Sequence, residues 1–124
     1  MKAQPMSDPA ELALAEAAIR HGARTTGCCE WDDKAAERVR SDASLQGLTP
    51  EYIRARLCRF IAAEDGRLQQ VAESRSEYSY RAYWYKAVLP EPGFAHGIFV
   101  ELELTETDPE LPGVTIFNAH AQRK

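Results

Sequence analysis

The first part of the chain has apolar positions at a helical spacing, bounded by residues that cap helices. In SDPAELALAEAAIRHG, Asp8 is placed to cap the amino terminus, Pro9 stands at the first helical position, and Gly22 follows the last turn. The pattern predicts a helix from about Pro9 to His21. Its apolar stripe is wide enough to bury but shallow, because many of its positions are alanine.

Two further helices follow GARTTGCC, which is predicted to be a loop. In WDDKAAERVRSD, Asp32 or Asp33 caps a short helix. The strongest helical signal is GLTPEYIRARLCRFIAAEDG, where Thr49 is the cap, Pro50 is the first helical residue and Gly66 lies just past the end. The predicted buried face of this helix consists of Ile53, Leu57, Phe60 and Ile61. Its arginines are then expected to lie mostly toward solvent: Arg54, Arg56 and Arg59.

Beyond Gly66 the apolar residues alternate with polar ones, which is the period of a β-strand. RLQQVAES is a weak strand, and YRAYWYKAVLP is a strong one that we expect to stop at Pro90, which has no amide proton for a sheet. GIFVELELTE forms the next strand, with one apolar face made by Ile98, Val100, Leu102 and Leu104.

The last strand, VTIFNAH, follows the acidic turn DPELPG. Val114 and Ile116 have the same parity as Asn118 and His120, so simple alternation places the two polar residues on the inner face, beyond the edge of the core. The tail IFNAHAQRK is therefore expected to run from the core into a polar rim at one end of the sheet.

Helices that precede consecutive strands are typical of an α+β domain. We therefore predict helices packed on one face of a mostly antiparallel sheet of three to four strands. The length of 124 residues indicates a single domain, in which residues 1–29 form an N-terminal helix and loop extension and residues 30–124 form the α+β core.

The negative net charge of the chain makes some classes of binding partner less favourable. Fifteen lysines and arginines against nineteen aspartates and glutamates give a net charge of -4, which is the wrong sign for non-specific attraction to DNA or to an anionic membrane. We therefore predict neither as a partner. The apolar stretch LALAEAAI is interrupted by Glu16, so it is neither a signal peptide nor a membrane span, and the protein is expected in the cytoplasm.

The cysteines are odd in number and two of them are adjacent: Cys28, Cys29 and Cys58. This arrangement favours free thiols over a disulfide framework. His21 precedes the adjacent pair, but its spacing is not typical of a zinc site and no second cysteine pair follows. No metal and no other cofactor is predicted.

Two stretches are similar to a known family. EWDDKAAERVR followed by GLTPEYI resembles the opening of BrnT-type toxins, in which a Trp-Asp pair begins a short helix that contains Lys and Ala. The closing IFNAHAQRK resembles the last strand of that family, with His120 where the family typically has an arginine. The resemblance covers about Glu30 to Lys124. It implies a RelE-like small ribonuclease or an inactive relative of one, with an antitoxin-like protein partner. In that group helices cover one face of an antiparallel sheet and RNA lies on the other.

Metal-independent RNA cleavage needs a base, an acid and cations that stabilise the charged phosphate in the transition state. The side chains in the strand-rich half that suit these roles are His120, Lys86, Arg81 and His96. RNA binding would use cations for phosphates and aromatic rings for unpaired bases, and the candidates are Arg75, Tyr83, Tyr85 and Arg123. Each also has a purely structural interpretation, because aromatic residues are ordinary strand formers and His96 lies in a Pro- and Gly-rich turn.

A second hypothesis is a non-enzymatic module that binds a protein or a ligand on an aromatic sheet face. Glu101 and Glu103 share one face of their strand, and carboxylates there would repel phosphate. Local charge therefore distinguishes the two hypotheses. One continuous basic patch favours the ribonuclease, and a patch interrupted by these glutamates favours the binding module.

Overall fold

The computed structural model describes residues 8–123. Its helices are α1 (Pro9–Gly22), α2 (Asp33–Arg40) and α3 (Pro50–Ala62), and its strands are β1 (Cys29–Trp31), β2 (Gln69–Ala72), β3 (Tyr83–Glu91), β4 (Phe94–Glu106) and β5 (Gly113–Ala121). The strands form one sheet in the order β1-β5-β4-β3-β2, in which β1 and β5 are parallel and all other neighbours are antiparallel. The described residues thus have an α+β fold. The sheet is mixed and has five strands, rather than the predicted three or four.

The helices begin where the capping residues predict. The Asp8 carboxylate accepts a hydrogen bond from the Glu11 amide at 3.1 Å, and Pro9 follows as the first residue of α1. Thr49 Oγ1 accepts from the Tyr52 amide at 3.0 Å at the start of α3. Asp32, one of the two candidate caps, accepts from the amide of the third residue of α2. These local signals are confirmed because a cap needs partners only within its own first turn.

The additional strand is β1, which lies where the sequence predicts a loop that leads into the second helix. Cys29 and Trp31 lie opposite Val114 and Ile116 in a parallel pairing with β5. A strand of three residues is too short for its own alternation to be recognised, so only the partner strand defines it. The third strand also differs, because β3 continues through Pro90. Pairing with β2 ends at Lys86, and Pro90 has no partner in the register between β3 and β4, so neither pairing requires an amide proton from it.

One face of the sheet and all three helices enclose the core. Its fully or nearly fully buried side chains include Ile19, Val39, Ile53, Leu57, Ile98, Val100, Leu102, Val114 and Ile116. The segment predicted as an N-terminal extension contributes Ala15 and Ala18 to the same core. Two predictions for α3 are corrected: Phe60 is only partly buried, and Arg56 is buried rather than directed toward solvent.

A bulge in β5 changes which side chains face the core. Leu102 lies opposite Ile116, but the preceding residue, Glu101, lies opposite Asn118, so Phe117 is an extra residue in β5. From this point the parity of β5 is reversed. Ala119 is buried opposite Val100, and Asn118 and its neighbour His120 point to the other face. The prediction that these two polar residues extend the inner face is therefore wrong.

Candidate binding surface on the open sheet face

The face of the sheet opposite the helices is partly covered by the chain between β2 and β3. Residues 73–82 form a hairpin loop, closed by a hydrogen bond from the Glu73 amide to the Ala82 carbonyl at 2.9 Å. Its side chains reach across the sheet to β4 and β5. Tyr80 Oη donates to Glu103 Oε2 at 2.9 Å, and the Tyr78 ring lies 6.1 Å from the ring of Phe117. This loop therefore orders one end of the open face.

An ion-pair network joins this loop to β4. The Glu73 side chain is 1% exposed, and its carboxylate accepts from Arg75 Nε at 2.8 Å and from Arg81 Nε at 2.7 Å. Arg75 Nη2 also donates to Glu101 Oε2 at 2.9 Å, and Arg81 pairs with Glu103. Two guanidinium groups thus face three carboxylates, which leaves the network with a net charge of about -1.

The network shifts the pKa values of its members. Burial raises the pKa of Glu73, but the hydrogen bonds from Arg75 and Arg81 outweigh burial and lower this pKa to about 2. The hydrogen bond to Glu73 raises the pKa of Arg75. Burial and the hydrogen bond to Glu103 raise the pKa of Tyr80, so its hydroxyl stays protonated and continues to donate. Glu73 and Arg75 are therefore charged at neutral pH.

Aromatic rings lie against both guanidinium groups. The Arg81 guanidinium carbon lies 4.4 Å from the centre of the Tyr78 ring and 4.6 Å from that of Phe117. The Arg75 guanidinium carbon lies 5.1 Å from the Trp84 ring centre. Cation–π contacts of this kind hold the rings in fixed positions. Buried carboxylates on one side and rings on the other thus enclose the two arginines.

The uncovered end of the open face carries His120 and Lys86. The His120 ring stacks on Phe99 with centroids 4.8 Å apart, and its Nδ1 lies 2.9 Å from the Ala121 carbonyl oxygen. Lys86 lies opposite Glu101, which in turn lies opposite Asn118. His120 lies opposite Phe99, so Lys86 and His120 are separated by β4 and offset by two residues along the strands, which places their backbones about 12 Å apart. No described residue forms an ion pair with Lys86.

The structure brings together only part of the predicted site. Arg81, Lys86, Arg75 and His120 share the open face, and Arg123 is exposed just beyond the end of β5. His96 is separated from them, because it lines a cleft at the β3–β4 hairpin together with a residue of α3.

Two predicted RNA-binding residues are corrected. Tyr83 and Tyr85 are buried on the helix side of β3, so neither ring is available to stack on a ligand at the open face. The Tyr85 hydroxyl donates to Glu11 Oε1 at 2.7 Å and accepts from Gln70 Nε2 at 3.0 Å. This ring therefore has a structural role, in which it links α1 to the sheet.

The sequence reasoning missed Glu73, Tyr78 and Phe117. Glu73 lies near the end of the weakest predicted strand, RLQQVAES, and its bond with Arg81, eight residues away, follows no local pattern. Phe117 did carry a signal, since simple alternation places it on the face away from the core. Tyr78 lies in a 3₁₀ turn, Ser76–Tyr78, whose position over the sheet depends on the fold of the loop.

Other classes of site and of protein receive no support. Within residues 8–123, no group of three or more His, Cys, Asp or Glu side chains is arranged to hold a metal ion. None of the described helices is both long and apolar enough to cross a membrane. Comparisons with protein-family models, with curated proteins and with solved structures found no match to this chain.

Proposed function

We propose that this protein is a non-enzymatic binding module that recognises a partner protein through the open face of its sheet. The observation that carries the proposal is the neutralisation of Arg75 and Arg81 by Glu73, Glu101 and Glu103. A phosphate group that approached these arginines would have to displace a carboxylate. Around Arg75 and Arg81 the open face therefore presents ordered aromatic rings rather than free cations.

The remaining chemistry of the face suits a protein partner. Aromatic residues and arginine are enriched at the centres of protein interfaces, where buried rings contribute much of the binding energy. Tyr80 is 70% exposed and Val88 is 40% exposed, while Trp84, Phe99 and Phe117 are half-buried. Because the ion-pair network already holds several of these rings, little side-chain entropy would be lost on binding.

The test compares two pairs of substitutions that each remove two exposed or half-exposed apolar groups. Tyr80→Ala with Phe99→Ala alters the open face, and Tyr52→Ala with Leu111→Ala alters α3 and the β4–β5 turn. We expect wild type and the control pair to retain the same protein from a cytoplasmic extract of the source organism. The open-face pair should lose it. Calorimetry with the purified partner should then show affinity weakened by about tenfold or more, or about 1.4 kcal/mol. Equal binding by all three proteins would contradict the proposal.

A metal-independent ribonuclease with an antitoxin-like partner is the second candidate function. Its support is the resemblance to BrnT-type toxins and the position of Arg81, Lys86 and His120 on one sheet face, opposite the helices. In this case His120→Ala should lower cleavage of single-stranded RNA by about 10² to 10⁴, as expected for loss of a general acid or base. Equal cleavage by wild type and variant, with no growth defect on expression, would exclude this candidate and leave the binding module.

A further inference from the structure

The end of the β3–β4 hairpin is wider than a regular hairpin. Leu89 lies opposite Ile98 and Glu91 lies opposite Phe94, so a single residue of β3 faces the three residues 95–97 of β4. Gly97 has a φ of +79°, and a Cβ atom there would lie 2.6 Å from the Leu89 carbonyl oxygen. Only glycine fits this position. The widening produces a cleft of about 660 Å³.

The floor of the cleft contains an arginine whose two terminal nitrogens make three hydrogen bonds. Arg56 of α3 is 6% exposed. Its two Nη atoms donate to the Glu64 carboxylate at 3.1 and 3.2 Å, and Nη2 also donates to the Pro90 carbonyl at 2.9 Å. Its Nε lies 3.6 Å from Glu91 Oε1, which is too far for a hydrogen bond. Glu64 also accepts from Arg59 Nε at 3.3 Å, so two arginines bond to Glu64, whereas no hydrogen bond from Arg56 reaches Glu91.

Glu91 is left with an unused acceptor. Its side chain is 9% exposed, and Oε2 accepts from the Tyr52 hydroxyl at 2.7 Å. Oε1 is shielded from solvent and has no hydrogen-bond partner in the described part of the chain. A buried carboxylate oxygen without a donor is costly, so it favours any ligand that supplies one. The terminal torsion of a glutamate has a broad energy minimum, so Oε1 can turn toward the cleft that Glu91 lines.

We propose that this cleft binds a primary ammonium group carried on an apolar chain. The ammonium would donate to Glu91 Oε1 and complete the compensation of its charge. The apolar chain would contact the walls of the cleft, which are formed by Val88, Pro90, Pro92 and Phe94. Such a group is found in a free alkylamine and in the side chain of a lysine. The site shares Val88 with the edge of the open face, but it does not depend on the function proposed above.

The experiment is an NMR titration of the full chain with three ligands of equal length: n-hexylamine, n-hexanol and n-hexanoate. We expect hexylamine to shift the backbone amide signals of Val88, Ala95 and Gly97 saturably. Hexanol and hexanoate should bind about tenfold more weakly or not at all, because they lack the cationic donor. Nα-acetyl-lysine-N-methylamide identifies the source of the group: affinity equal to or above that of hexylamine indicates a peptide lysine, and weaker binding indicates a free amine.

Two variants test the role of the carboxylate. Glu91→Gln keeps the shape of the side chain and removes its charge, so hexylamine affinity should fall about tenfold while hexanol affinity stays unchanged. Glu110→Gln, in the exposed β4–β5 turn, should behave like wild type. Equal affinity of wild type for hexylamine and hexanol, absence of saturation, or shifts confined to other regions would overturn the proposal. The comparison of ligands on wild type decides the question even if Glu91→Gln does not fold.

Discussion

His120 lies opposite Phe99 across β4 and β5, and the two rings stack with their planes inclined by 23°. This contact depends on the extra residue in β5, because without the bulge at Phe117 the imidazole would point toward the core. The ring is held on its other side by the contact of Nδ1 with the Ala121 carbonyl oxygen at 2.9 Å. The position of His120 is thus fixed by two strands rather than by the tail alone.

The stacked pair should contribute measurably to stability. A double-mutant cycle of Phe99→Ala and His120→Ala, measured by urea unfolding, should give a coupling energy of about 0.5 to 1.5 kcal/mol, the range found for aromatic pairs. A coupling energy below about 0.3 kcal/mol would indicate independent side chains and would contradict the stacking.

Substitution of Leu102 in β4 should lower stability strongly, because its side chain is fully buried between the sheet and the helices. We expect Leu102→Ala to lower the free energy of unfolding by about 2 to 5 kcal/mol through lost apolar burial and a residual cavity. The matched control is Leu111→Ala, at a residue that is 54% exposed, which should change stability by no more than about 0.5 kcal/mol. Similar losses in the two variants would show that the core is elsewhere.

The network around Glu73 should make stability depend on acid pH. The pKa of Glu73 falls from 4.5 to about 2 on folding, so this carboxylate stabilises the fold fully above about pH 4.5 and loses that contribution as the pH falls toward 2. Wild type should therefore lose more unfolding free energy between pH 6 and pH 3 than Glu73→Gln does.

Glu110→Gln is the control for this prediction, since Glu110 lies in an exposed turn. It should keep the wild-type dependence on pH. If Glu73→Gln showed the same loss of stability between these pH values as wild type, the ionised network would not be the cause.

The cysteines should react as three free thiols of unequal reactivity. All three are buried and none is in a disulfide. The hydrogen bond from Cys29 lowers the pKa of Cys58 to about 7, whereas the pKa of Cys29 is raised, so Cys58 has the larger thiolate fraction of the two for alkylation. We expect Cys58→Ser to remove the fastest phase of iodoacetamide labelling of the native protein, and Cys28→Ser to keep it.

The same labelling experiment in denaturant gives the number of free thiols. Without reductant, the unfolded wild type should titrate as three thiols. A lower count would show that a disulfide forms. A fastest phase that survives in Cys58→Ser would show that another cysteine is the reactive one.

The sequence by itself determined the features that depend on near neighbours. Asp8 and Thr49 mark the starts of α1 and α3 because each side chain bonds an amide in the first turn of its own helix. The alternation from Ile98 to Leu102 gives the buried face of β4 because successive side chains of a strand point to opposite faces. The α+β class follows from the order of these elements.

Only the tertiary structure decided the features that depend on distant partners. β1 exists through its pairing with β5, and the bulge at Phe117 is defined by the register between β4 and β5. Arg56 lies on the buried side of α3 because Glu64 and the Pro90 carbonyl accept its hydrogen bonds there. The candidate surface has the same origin, since the carboxylates that neutralise its arginines come from β4 and from the loop between β2 and β3. Their approach in space, which no local pattern records, sets the charge that the surface presents.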